Sequence, residues 1–173
     1  MKKSTAIIMI LVALSTFHWI KLQAQVRVIG HVTAEVIESL NATETAQLNF
    51  GRFAPQFSGG QLIMTPQGAL MSTGNIILSS STHNAASFFI TGESGVLFSI
   101  TLPNGPVTMI NTQNSKTMSI INWTSDPKPG MGIILPEGGS QVVLVGATLV
   151  AGSMYDNPVG IYTGTYAITF SYN

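Results

Sequence analysis

Short apolar runs set off by Gly, Pro, Asn or Ser recur about every ten residues through most of this chain, the rhythm of an all-β sandwich or barrel. Strand geometry limits what such runs can build. Successive side chains point to opposite faces, so an alternating run buries one face and wets the other. The longest is "GIYTGTYAITFSYN", in which Tyr162, Gly164, Tyr166, Ile168, Phe170 and Tyr172 share one face and Thr163, Thr165, Ala167, Thr169 and Ser171 the other. "VRVIGHVTAEV" aligns Val26, Val28, Gly30, Val32, Ala34 and Val36 in the same way. "VLFSITLP" aligns Val96, Phe98, Ile100 and Leu102 ahead of a "PNGP" turn. Further strands are read at "AQLNFG", "QLIMT" (61–65), "NIILS" (75–79), "SFFITG" (87–92), "TMSIINW" (117–123) and "QVVLVGATLVA" (141–151), the last with a bulge at Gly146. "SDPKPGMG" is too rich in Pro and Gly for a ladder. No helix is predicted after residue 24.

Residues 1–24 read as a removed secretory signal. Lys2 and Lys3 precede the apolar stretch "STAIIMILVALSTF", and "LQA" puts a small residue, Ala24, at the cleavage point. The stretch is shorter than the roughly 20 residues a bilayer span requires, so no membrane span is expected once it is removed. The expected location is the periplasm, the cell surface or the medium. Removing it from 173 residues leaves 149, enough for a single β-sandwich domain, 25–173, with a core of its own.

Lys2, Lys3 and Lys21 leave with the signal, so four basic residues remain against seven acidic ones. That balance supplies no basic face for nucleic acid. Charged residues are 8% of the chain, against roughly 25% in ordinary soluble domains. Such a surface resists sheet-to-sheet association poorly. There is no cysteine, so the core holds the fold without disulfides and a lipoprotein anchor has no attachment point.

The search for chemistry leaves little. Only His31 and His83 remain as imidazoles, too few for a zinc site, and Asp126, Glu137, Asp156 and Asn157 lack calcium-loop spacing. No "GxSxG" serine and no phosphate loop is present. The expectation is therefore no catalytic residue, no cofactor and no metal. A hydrolase whose acidic pair is assembled only in space stays open. Trp123, in "INWTSDPKPG", is either core edge or an exposed platform for a sugar ring. With loops 52–60 and 124–132 it supplies the alternative function, a secreted carbohydrate- or ligand-binding module.

"LNFG" (48–51), "ASFFITGESGVLFSITLP" (86–103), "VLVGATLVA" (143–151) and the terminal "GIYTGTYAITFSYN" together resemble the secreted domain-of-unknown-function family numbered 4402. That family is similar to spore coat U domains and to the pilin subunits of chaperone-usher systems. The resemblance implies an immunoglobulin-like, pilin-like antiparallel β-sandwich. It also implies a non-enzymatic structural subunit that assembles by strand pairing, as a homo-oligomer or with related surface subunits, and a periplasmic chaperone. Gly160, fourteenth from the end, and the penultimate Tyr172 match the pilin C-terminal signature, which makes Gly160, Tyr162, Gly164, Tyr166, Ile168, Phe170 and Tyr172 the assembly strand. Val26 and Val28 are the candidate donor strand, in an extension of residues 25–30 ahead of the domain's own first strand.

Overall fold

The computed structural model describes Met9, residues 25–136 and residues 138–173. The predicted signal, apart from Met9, and Glu137 lie outside the described residues. The chain divides into two units, and the second, Val36–Asn173, is nearly all β and antiparallel throughout. Its strands are β1 (Asn41–Ala46), β2 (Phe53–Met64), β3 (Leu70–Leu78), β4 (Ala86–Thr91), β5 (Leu97–Thr101) and β6 (Val107–Asn111). They are followed by β7 (Thr117–Asp126), β8 (Gly132–Ile133), β9 (Ser140–Ala151), β10 (Tyr162–Thr163) and β11 (Thr169–Tyr172). Eight strands form one sheet in the order β1-β4-β9-β7-β6-β10, with β2 beside β9 and β3 outside β2; a smaller sheet runs β11-β5-β8.

β9 is the spine. Val143, Val145, Ala147, Leu149 and Ala151 all point into the core, and the strand passes through both of its clusters. Around Val143 and Val145 gather Ile90, Phe98, Ile100 and Ile134, with the aromatic residues of the terminal strand against them. Here the small sheet closes over the large one. Around Ala147, Leu149 and Ala151 gather Leu62, Met64, Met118, Ile120 and Phe50, and no residue of β5, β8 or β11 belongs to this second cluster. Each large side chain taken fully from water contributes about 1.5–3 kcal/mol, so both clusters matter to the fold.

Gly146 lies between the two clusters and is not a bulge. On one side of β9 the partner changes there: Ser140–Val145 pair with β4, and Ala147–Ala151 pair with β2. A Cβ on Gly146 would overlap the carbonyl oxygen of Met64, where β2 leaves the sheet. The bulge is opposite, in β7, between Ile121 and Thr124. Asn122 takes a left-handed φ of 51° there, which Asn tolerates better than most residues. An extra residue reverses the phase of a strand. Met118 and Ile120 face inward before the bulge, Trp123 and Ser125 after it.

Two further expectations are corrected. "VRVIGHVTAEV" forms no strand: the first strand starts at Asn41, in the polar stretch "NATETA", so the segment ahead of it is longer than 25–30. "AQLNFG" is strand only at Ala46, the end of β1; the rest is an irregular connection with one bridge, Asn49 to Asn84. Conversely β6, "VTMIN", is a strand that the pattern did not single out.

Candidate functional site

The terminal run does not make one continuous strand. Tyr162 and Thr163 pair with Asn111 and Ile110 of β6 in the large sheet, whereas Thr169–Tyr172 pair with Phe98–Thr101 of β5 in the small one. Both β10 and β11 stand last in their sheets, so among the described residues no strand pairs with their outer edges. Between them, Gly164–Ile168 cross from one sheet to the other and have no ladder partner and no backbone–backbone hydrogen bond among the described residues.

The side chains keep the expected faces throughout. Tyr162, Tyr166, Ile168, Phe170 and Tyr172 are half-buried on the core side, and Thr163, Thr165, Ala167, Thr169 and Ser171 are exposed. That none of the inward residues is fully buried distinguishes this strand from β9, whose inward residues are. Gly164 is inward but open, and a side chain there would press on the backbone of Thr108 and Met109. Gly160 lies against the buried side chain of Asn111, which a Cβ would strike. Asn111 Oδ1 accepts the N–H of Gln113 at 2.8 Å, which fixes the amide in that place.

Farther along, Phe170 packs between Phe88 and Phe98, with ring centroids 5.9 Å and 6.2 Å away. Tyr172 ends the strand with two hydrogen bonds: its hydroxyl accepts the Glu93 N–H at 2.7 Å and donates to the Glu38 carbonyl at 2.9 Å. The hydroxyl lies over Gly92, where any Cβ would collide with it. One phenol thus ties the last strand to the point where the chain enters the domain.

Trp123, turned inward by the β7 bulge, is half-buried and touches both core clusters. Its ring packs on Tyr166 with centroids 4.6 Å apart, so it is part of the core seam and not an exposed platform. Of the loops proposed beside it, 52–60 is strand from Phe53 onward, whereas 124–132 is irregular between Asp126 and Gly132. Trp123 Nε1 and the Tyr166 hydroxyl are both buried without a hydrogen-bond partner. Burial, with a smaller contribution from the Glu44 carboxylate, pushes the Tyr166 phenol up to about 12.

Beside the start of the terminal run lies a groove of about 1700 Å³, walled by residues 46–57 on one side and by Met154 and residues 157–164 on the other. Leu48, Phe50, Phe53, Met109, Leu149 and Tyr162 line it, so it opens directly onto the core cluster that the small sheet does not reach. Sequence reading had 52–60 as a candidate binding loop but missed residues 46–51 as part of the same wall. The signal for 46–51 was the alternating apolar pair Leu48 and Phe50 just ahead of Phe53. Val26 and Val28 are 86% and 84% exposed, in a segment without regular structure. Among the described residues, no three His, Asp or Glu side chains converge as a metal site, and no helix is long and apolar enough to cross a membrane.

A family model described as a domain of unknown function, DUF4402, matches residues 40–172. No curated protein and no solved structure matches the chain.

Proposed function

Because the chain belongs to the DUF4402 family, whose span takes in every strand from β1 to β11, we propose that it is an exported, non-enzymatic structural subunit that accepts a strand from another chain. In this reading the domain is an immunoglobulin-like sandwich short of one strand, akin to pilin subunits and spore coat U domains. The accepted strand lies in the groove against the outer edge of the terminal strand, on the periplasmic or outer face of the cell. A periplasmic chaperone covers the groove until another subunit fills it.

One observation carries this reading: the terminal run has an unpaired outer edge, its first residues, Gly160–Gly164, line an apolar groove, and the five residues after Thr163 lack backbone partners. Edge strands are normally shielded by charge, bulges or covering loops. Here the edge carries Thr, Ala and Ser on its exposed face and the adjoining core aromatics stay half-buried. An extended apolar segment meets both needs, with backbone hydrogen bonds to the edge and alternate side chains in the groove.

The donor is the segment ahead of β1. Its alternation from Val26 to Val36 is that of a strand, yet these valines are exposed and unpaired in any ladder. The test is the solution mass of the purified chain beginning at Gln25, with and without Val26–Ile29. Strand-linked oligomers are expected for the longer chain, and a folded monomer for the deletion. A monodisperse monomer in both cases, with no affinity for the detached segment, would overturn the proposal.

A further inference from the structure

We infer that the bulge of β2 and the turn after β9 together carry a binding site for neutral sugars, built on the exposed rings of Phe57 and Tyr155 with the Asp156 carboxylate beside them. The inference does not rest on strand acceptance, since Tyr155 and Asp156 stand outside the walls of the groove.

Two excursions of the backbone meet at this place. In β2, residues 56–59 bulge out between Pro55, opposite Ile76, and Gly60, opposite Gly74. After β9 the chain turns tightly over Ser153–Asp156, where the Asp156 N–H donates to the Ser153 carbonyl at 3.0 Å. The Met154 N–H donates to the Gln56 carbonyl at 3.1 Å, and Gly59 lies so close to the carbonyls of Ala151 and Gly152 that a Cβ would overlap them. Phe57 and Tyr155 each adjoin one member of the Gln56–Met154 pair, so chain geometry keeps their Cα atoms within about 15 Å of each other. A short run of sugar rings covers that span.

Both excursions are held firmly. Asn157, only 5% exposed, accepts the Gly152 N–H at 2.6 Å through Oδ1 and donates to the Thr117 carbonyl at 2.7 Å through Nδ2, which pins the turn to β7. The Ser153 hydroxyl donates to Asp156 Oδ2 at 2.7 Å, and Asn75 Nδ2 donates to Ser58 Oγ at 2.8 Å within the bulge. What this framework presents to water is aromatic: Phe57 is 73% exposed and Tyr155 71%. Rings carried on a fixed backbone bind at low entropic cost, because little is left to order.

The chemistry around the rings selects the ligand. A pyranose has apolar C–H faces that stack on an aromatic ring, and hydroxyls at its margin that require hydrogen-bonding groups. Asp156 meets that need: Ser153 occupies Oδ2, which leaves Oδ1 to accept from sugar hydroxyls. Hydrogen bonds from Ser153, with a smaller effect of the Lys116 charge, hold this carboxyl below its usual range, so it remains an acceptor through neutral pH. Residues 53–60 and 152–161 contain no Lys or Arg, and Lys116 nearby balances Asp156. Such a surface draws neither anionic lipid nor a polyanionic glycan, both of which call for clustered basic side chains. Trp123 thus gives way to Phe57 and Tyr155 as the sugar platform, and 52–60 stays as one of its walls.

The test titrates maltohexaose, cellohexaose and mannohexaose into the chain beginning at Gln25 by calorimetry, with an alginate hexamer and phosphatidylglycerol vesicles as anionic probes. At least one neutral hexasaccharide should bind. Tyr155→Ala and Phe57→Ala should each weaken that binding about tenfold or more, as loss of an aromatic anchor does, and Asp156→Asn should weaken it severalfold. Circular dichroism should show all three variants folded, because the side chains removed are exposed. The chain lacking Val26–Ile29 should bind the sugar as tightly as the parent, so failure of strand acceptance leaves this site standing, and loss of sugar binding leaves strand acceptance untouched. No binding of any neutral hexasaccharide, binding undiminished when both rings are removed, or binding of the anionic probes alone would overturn the inference.

Discussion

Tyr166 holds a phenol whose hydroxyl is buried and unpartnered, against an indole whose N–H is in the same condition. An unsatisfied buried hydroxyl costs its lost hydration, so Tyr166→Phe should stabilise the chain at pH 7 by about 1 kcal/mol. The same residue governs part of the alkaline behaviour. Its folded-state value, raised to about 12, lies above the roughly 10 of an unfolded tyrosine. Below pH 10 the phenol is protonated in both states and contributes no pH dependence. Between pH 10 and 12 the unfolded chain releases the proton and the folded chain retains it, so stability falls as pH rises. Partial exposure reduces the loss to the order of 1 kcal/mol. Urea unfolding at pH 7 and at pH 11 checks both effects; a Tyr166→Phe chain that is weaker at pH 7, or loses as much at pH 11 as the parent, refutes them. From the sequence, Tyr166 was identifiable as an inward residue of an alternating run. Its meeting with Trp123 was not, because that depends on a bulge marked only by Asn122.

At the scale of elements, side-chain alternation showed which residues face inward but not what their backbones pair with. The terminal run alternates without a break, although its ladder switches from β6 to β5 in the middle. "VRVIGHVTAEV" alternates as well as any strand in the protein and has no ladder at all. The strand that does begin the fold, "NATETA", pairs with β4 through its backbone at the sheet edge, where polar side chains suffice. Gly146 was visible as an interruption of β9, but only the packing explains it. The glycine leaves room for the end of β2 and lets one strand serve two neighbours. In Gly146→Ala the new methyl group meets backbone atoms of Met64 and Thr65, which cannot rotate away. The expected cost is about 3 kcal/mol in chemical denaturation, at the upper end of ordinary overpacking. A loss within about 0.5 kcal/mol, typical of surface changes, would show that β2 does not approach β9 this closely.

On the scale of the whole molecule, the larger sheet has eight strands and the smaller three, and only one of the two core clusters is enclosed between them. The other faces a groove. A domain built this way gains stability from whatever fills the groove, in proportion to the free concentration of the filler relative to its dissociation constant. If the filler is the segment ahead of β1 of another copy, the filler concentration is the protein concentration itself. The urea midpoint of the chain beginning at Gln25 should therefore rise with protein concentration, by up to about 1.4 kcal/mol per tenfold increase once the groove is mostly filled. The chain lacking Val26–Ile29 should unfold at a lower midpoint that is the same at every concentration. Two flat, coincident midpoints would mean that the sandwich is as stable empty as filled. The small number of charges bears on the same measurement. With only 8% charged residues, contact between copies is opposed by little repulsion, so added salt should move the concentration dependence less than removal of Val26 and Val28 does.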